Sequence, residues 1–181
     1  MIMKKALLLL CAAISIAAVS CKCNKNNSGN PKDEVITEAP SNLQTQEYIE
    51  GRIAEMYGFA LAQDKYEDAD VKFFTKDLLD LQEKVLKKQN ESGNLYIDHD
   101  HWVMGQDCHN PSYEFVKAED INAQTAKAYV KVKAFDDQEN PTLVRLTLKF
   151  NGDDWMVDDI EEEYEGVFYS HRKMYDEALA E

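Results

Sequence analysis

Between Ala126 and Ile160 the chain alternates. Ala126, Ala128, Val130, Val132 and Ala134 share one side, with Lys127, Tyr129, Lys131 and Lys133 on the other. Val144, Leu146, Leu148 and Phe150 repeat the pattern against Arg145, Thr147 and Lys149, and Trp155 to Ile160 resumes it. A period of two is that of a strand with one face buried and one face wet. Asn151-Gly152 between the last two runs predicts a type I′ hairpin, and the loop from Asp136 to Pro141 joins the two runs before it. Tyr113 and Phe115 alternate with polar neighbours and add an earlier strand. Consecutive strands of this kind make an antiparallel meander whose apolar face has to be covered.

Upstream helices are expected to supply that cover. Ile49, Ile53, Met56 and Ala60, with Tyr57 and Leu61 beside them, form one apolar stripe of a helix over roughly 45 to 63, with Thr45 as N-cap. Gly51 and Gly58 weaken it locally and leave room for another element to approach. A second helical block spans roughly 69 to 89. Within it Val71, Phe73 and Phe74 make a short apolar turn, and Thr75 reads as an N-cap. Leu78, Leu81 and Val85, flanked by Leu79 and Leu86, form the stripe. Lys84, Lys87 and Lys88 suit the negative end of a helix dipole, and Asn90 to Asn94 is a stop signal. A last helical segment over roughly 168 to 180 closes the chain. The expected class is α+β, with N-terminal helices packed on a curved antiparallel sheet and a short C-terminal helix.

The first residues read as an address. Lys4 and Lys5 precede an apolar run from Ala6 to Ala18, a basic and then apolar order typical of a secretory signal and too short for a membrane span. The run ends in Ala18-Val19-Ser20-Cys21, which resembles a bacterial lipobox. The resemblance implies removal of residues 1–20, lipidation of Cys21, and a membrane tether through the acyl chains. Residues 22–42 are rich in Asn, Lys, Ser, Gly and Pro and read as a flexible linker, leaving 43–181 as the domain. Loss of Lys4 and Lys5 takes the net charge from −14 to −16, so anionic headgroups repel the protein and the lipid must do the anchoring. The same charge excludes nucleic acid as a partner. No acidic run follows Cys21, which favours the outer membrane facing the periplasm. Of the remaining cysteines, Cys23 and Cys108 are free to pair in an oxidising compartment, though their spacing does not demand it.

The order of elements resembles the NTF2-like (cystatin-like superfamily) cone, in which a curved sheet wraps a long helix. The details are similar to the DUF3828 family of bacterial lipoproteins. The residues that carry the resemblance are Ile53, Met56 and Tyr57, the run from Ile97 to Trp102 with Gly105-Gln106-Asp107 after it, and Trp155 to Ile160. It covers roughly residues 45 to 175. His99 and His101 depart from the family pattern, and the family carries no assigned activity, so the resemblance bears on fold more than on function.

Candidate chemistry is concentrated in residues 96–111, which hold three of the four histidines. In an extended segment His99 and His101 point one way and Asp98 and Asp100 the other. With His109, Asp107 or Cys108 folded back, the two imidazoles form a weak candidate site for Zn²⁺ or Cu²⁺; the alternative is a polar loop with solvated histidines. On the other face Asp98, Asp100, Gln106 and Asp107 are candidate contacts for a small ligand, with Trp102 and Tyr57 as an apolar wall. The alternative there is structural, with aspartates capping turns and Trp102 filling core. An Asp–His pair is the one general-base candidate, and no nucleophile elbow, phosphate loop or HExxH motif is present. The expectation is therefore a non-catalytic binding module for a small ligand or another envelope protein, with no cofactor indicated. Asp153 to Glu165 carries eight acids in thirteen residues. It reads as a solvated strand edge, or else as a recognition face for a cationic partner, the reading under which an inhibitor or immunity role would also fall.

Overall fold

A computed structural model describes residues 38–62 and 65–181; the expected signal, Cys21, Cys23 and the linker as far as residue 37 lie outside the described residues. Five strands, β1 (Ser112–Glu119), β2 (Thr125–Lys133), β3 (Thr142–Phe150), β4 (Trp155–Tyr164) and β5 (Val167–Ser170), form one antiparallel sheet in chain order. The alternating residues of β2 and β3 are buried as their period requires, from Ala126 to Val132 and from Val144 to Phe150. The opposite face is polar. Arg145 donates to both carboxylate oxygens of Glu161 at 2.6 and 2.5 Å and lies 4.2 Å over the ring of Phe168.

Helices α1 (Gln46–Ala60), α2 (Tyr66–Phe73), α3 (Lys76–Ser92) and α4 (His171–Ala180) complete the α+β fold and share one apolar core with the sheet. Thr45 caps α1 by accepting from the Tyr48 N–H at 3.1 Å, and the stripe Ile49, Ile53, Met56, Tyr57 and Ala60 is fully buried. Each large apolar side chain so buried contributes about 1.5–3 kcal/mol. Thr75 caps α3, accepting from the Leu78 N–H at 3.3 Å, and α3 ends on Gly93 in the left-handed region at φ 74°. Among the described residues no helix is long and apolar enough to cross a membrane.

One inserted residue organises the junction between sheet and helices. Opposite Thr147 and Leu148 the register steps from Asp159 to Val157, so Asp158 is a β-bulge. The bulge lets Val157 and Ile160 both face the core, which strict alternation would forbid. Asp158 accepts from the Thr75 hydroxyl at 2.8 Å and from Arg172 Nη2 at 3.0 Å, while the Thr75 N–H donates to the Val157 carbonyl at 2.8 Å. Asp159 accepts from the Ser170 hydroxyl at 2.6 Å and from the Arg172 N–H at 3.0 Å. A carboxylate there also faces the positive end of the α4 dipole. The starts of α3 and α4 are thus fastened to the same turn of β4.

Several expectations are corrected. The block over 69–89 is two helices, because Phe74 is extended and pairs with Val157 before Thr75 starts α3. The segment expected as helix from 168 begins as strand β5, which turns back from β4 through Glu165-Gly166 with both φ positive, at 52° and 82°. That is where the two-residue turn with the dihedral signs of type I′ lies. Asn151-Gly152 instead opens a four-residue loop, with the Asn151 side chain accepting from the Asp153 and Asp154 N–H groups. Strand β5 covers β4 only over Glu161–Tyr164, so the acidic run is a sheet edge in its first half alone, where Phe74 bridges to Val157. Its acids are largely engaged: Asp154 accepts from Tyr48, Asp158 and Asp159 hold the helix starts, and Glu161 holds Arg145. The linker ends earlier than residue 42, since Ala39 is buried and donates to the Ala123 carbonyl at 2.6 Å. A Cβ at Gly51 or Gly58 would meet nothing within 4 Å, so neither glycine serves a close approach.

Replacing Asp158 by alanine removes two charge-assisted or hydroxyl bonds at once. Asp158→Ala is expected to lower unfolding stability by about 2–3 kcal/mol in urea titration. A loss below about 0.5 kcal/mol, the range of an ordinary surface substitution, would refute the anchoring role.

Candidate functional site

After α3 the chain is drawn back across that helix, because the Gln89 side chain accepts from the N–H groups of Tyr96 and Ile97 at 2.9 and 3.0 Å. It then folds into a closed turn. Asp100 N–H donates to the Gly105 carbonyl at 3.1 Å, and the Asp100 side chain accepts from the Trp102 N–H at 2.8 Å. Gly105 is required at this corner: a Cβ would lie 3.0 Å from the Asp107 carbonyl oxygen and 3.2 Å from the Ala134 Cβ. Trp102 locks the turn to the core. Its indole N–H donates to Asp70 at 2.8 Å, its ring meets Tyr57 edge-on at 5.4 Å, and it stacks on Phe74 at 5.7 Å.

This turn brings His99 and His101 against His171, the first residue of α4. Ring centroids are 5.0 Å apart for His101 and His171, 5.5 Å for His99 and His171, and 6.1 Å for His99 and His101. His171 is placed by its neighbours, since Ser170 and Arg172 on either side bind Asp159 and Asp158. His101 and His171 are buried, and the two Nδ1 atoms lie 3.2 Å apart. The far nitrogen of His101, Nε2, meets the Tyr175 hydroxyl at 2.9 Å and the Gln82 amide at 3.4 Å. His99 Nδ1 meets Asp98 at 2.9 Å. His99 Nε2 and His171 Nε2 are buried without a hydrogen-bond partner. Among the described residues these three side chains can each offer one nitrogen, all within 4.8 Å of one another, to a shared ion.

Burial, reinforced by the neighbouring imidazoles, pushes His101 down to about 3; burial with His99 beside it pushes His171 down to about 4. Both rings are therefore neutral near pH 7, and the Glu162 carboxylate 3.9 Å from His171 Nε2 is no ion-pair partner. Asp70 moves the other way. Burial raises it to about 7, although the bonds from Gln82 and Trp102 favour its charged form.

His99, His101 and Asp100 also line a groove of about 680 Å³ between α2, α3 and residues 97–101. Val71, Leu79, Leu86 and Ile97 give it an apolar surface, and Glu67, Asp70, Asp80 and Glu83 add carboxylates. Its one lysine, Lys76, is paired with Asp80.

The expected site residues are only partly brought together. Asp100 lines the groove half-buried, and Asp98 is exposed beside His99. Tyr57 is not a ligand wall: it is fully buried, stacked on Tyr113 at 4.8 Å. Trp102 likewise fills core. Gln106 and Asp107 are exposed and lie outside the groove lining. His109 is exposed beside Asn110 and does not join the other histidines. Cys108 makes no disulfide among the described residues, and its sulfur lies 3.1 Å from the Tyr66 hydroxyl. The residues missed are His171, Asp70 and Gln82. For His171 a signal existed, because it heads the stripe His171, Tyr175 and Ala178 on the buried face of the last helix.

Comparison with protein-family models, with curated proteins and with solved structures finds no match for this chain.

The histidines carry a pH signature. The unfolded chain takes up their protons near pH 6.5 and the folded protein does not, so their stabilisation is complete above about pH 6.5 and is lost as pH falls towards about 4. Asp70 has the opposite sign, losing stabilisation as pH rises from about 4 to about 7. A difference between variants isolates the histidine part. His101→Gln is expected to flatten the pH slope of unfolding free energy between about pH 4.5 and 6 by up to about 1.4 kcal/mol per unit. Identical slopes for both proteins in denaturant titrations would contradict a buried neutral His101.

Proposed function

We propose that this chain is a lipid-anchored protein of the bacterial cell envelope, tethered through Cys21 to the periplasmic side of the outer membrane, whose folded part is a non-catalytic binding module. The tether reading rests on the sequence: a basic start, a short apolar run and a small residue before Cys21. Several acyl chains on one cysteine hold a protein firmly, at about 0.8 kcal/mol per buried CH₂. Cys21→Ser is therefore expected to move the protein from the membrane pellet to the soluble fraction of a Gram-negative host. Continued sedimentation with membranes would count against lipidation at that residue.

The binding reading rests on one observation, the groove between α2, α3 and residues 97–101. Its volume is in the range of small-molecule sites, it has a four-residue apolar surface, and Val71 at its lip is 73% exposed. Glu67 and Glu83 at the rim are exposed, and the one lysine there is already paired with Asp80. The ligand such a surface selects is small, with an apolar body and a cationic end. A recognition role for the acidic strand is less favoured, because Asp154, Asp158, Asp159 and Glu161 are engaged within the fold.

Calorimetry with two probes of equal length and opposite charge tests the groove. n-Octylammonium is expected to bind, with affinity falling at least fivefold in Glu83→Lys and with added salt. Octanoate is expected to bind far more weakly. Equal binding of the two probes would overturn the assignment.

A further inference from the structure

We propose that His99, His101 and His171 form a binding site for a single Zn²⁺ ion. The inference is carried by how the three rings are turned. His99 and His101 each have one nitrogen on an oxygen outside the cluster and the other left for the centre, while neither nitrogen of His171 is taken by a group outside it. His99 presents Nδ1 to Asp98 at 2.9 Å and leaves Nε2 buried with no partner. His101 presents Nε2 to the Tyr175 hydroxyl at 2.9 Å and leaves Nδ1 facing His171 Nδ1. His171 turns Nδ1 to His101 and keeps Nε2 buried without a partner, the Glu162 carboxylate lying 3.9 Å away and beyond hydrogen-bond reach. An oxygen behind a ligating imidazole, as His99 and His101 have, is the usual outer layer of a metal site, where it fixes the tautomer and raises the basicity of the coordinating nitrogen.

Distance and donor type both point to zinc. With Zn–N bonds of about 2.0–2.1 Å, adjacent nitrogens on a tetrahedral ion lie about 3.3 Å apart. His101 Nδ1 and His171 Nδ1 are already 3.2 Å apart. A square-planar arrangement, which Cu²⁺ favours, would set neighbouring nitrogens at about 2.8 Å. All three offered nitrogens fall within 4.8 Å of one another, so drawing them onto one ion takes movement of at most about 1.5 Å. His99 can supply it, since its ring is 22% exposed while the other two are locked in the core. Nitrogen donors alone also disfavour Mg²⁺ and Ca²⁺, which take oxygen.

The surroundings suit capture of a cation. His99 and His101 line the acidic groove, so Glu67, Glu83 and Asp100 concentrate divalent ions where the cluster is reached. Three protein ligands leave a fourth position for water or for a donor atom of a molecule in the groove. The site does not depend on the ammonium ligand proposed above, and failure of that probe leaves it untouched.

The test is titration of the full chain, chelator-treated and kept in detergent, with Zn²⁺ against a chromophoric competitor, together with native mass spectrometry. One Zn²⁺ per chain is expected, with no Mg²⁺ binding under the same conditions. His99→Ala and His171→Gln are each expected to weaken binding by at least 100-fold, and Asp98→Asn by about 10- to 100-fold through the outer layer alone. His109→Ala is expected to leave affinity unchanged. His99 and Asp98 are the partly exposed members, so their variants keep the fold, which circular dichroism checks, and the test survives even if His171→Gln unfolds. Absence of zinc binding at micromolar concentration, full affinity in His99→Ala, or loss of binding in His109→Ala would each overturn the proposal.

Discussion

The carboxylates of Asp158 and Asp159 set the architecture of this protein. They sit at the single irregularity between β3 and β4, and between them they hold the cap of α3, the hydroxyl before α4 and the guanidinium after its first residue. A bulge in the middle of a sheet weakens the ladder locally, and here the disruption is offset by bonds to charged groups. Its geometric result reaches the far side of the core. While α4 stays docked through Ser170 and Arg172, His171 stays against His101.

Behind the histidines a chain of polar groups runs through the interior. Trp102 and Gln82 both donate to Asp70, Gln82 reaches His101, and His101 reaches Tyr175. Burying such groups is unfavourable unless each finds a partner, and here the members partner one another across α2, α3, the 97–105 turn and α4. The network ties together elements that the apolar core alone would hold less specifically. It also concentrates the shifted acidities in one region, with Asp70 moved up and His101 and His171 moved down, all by burial.

The parts of the fold legible in the sequence are those governed by period. Strands β2 and β3, the buried stripe of α1 and the N-caps Thr45 and Thr75 all follow from local spacing. What was not legible depends on tertiary contact. Asn151-Gly152 matched a tight-turn pattern, yet a four-residue loop formed there, while Glu165-Gly166, with no such signature, made the tight turn. Strand β5 was hidden because four residues are too few to show a period. The acidic run looked solvated because nothing local reveals that Thr75 and Arg172 arrive from elsewhere. At the candidate site the spacing of His99 and His101 was informative, but their third member came from a helix seventy residues on, and the nearer His109 was directed away.

The placement of His171 has a kinetic consequence. The three-histidine cluster exists only while α4 is docked, because that helix supplies His171. Parts of a protein open and close with free energies well below that of global unfolding. Whatever the cluster holds can therefore leave by a hinge of α4 as well as by the groove that His99 lines. The residence time of a bound species then depends also on Ser170, Arg172 and the two aspartates of β4, none of which belongs to the cluster.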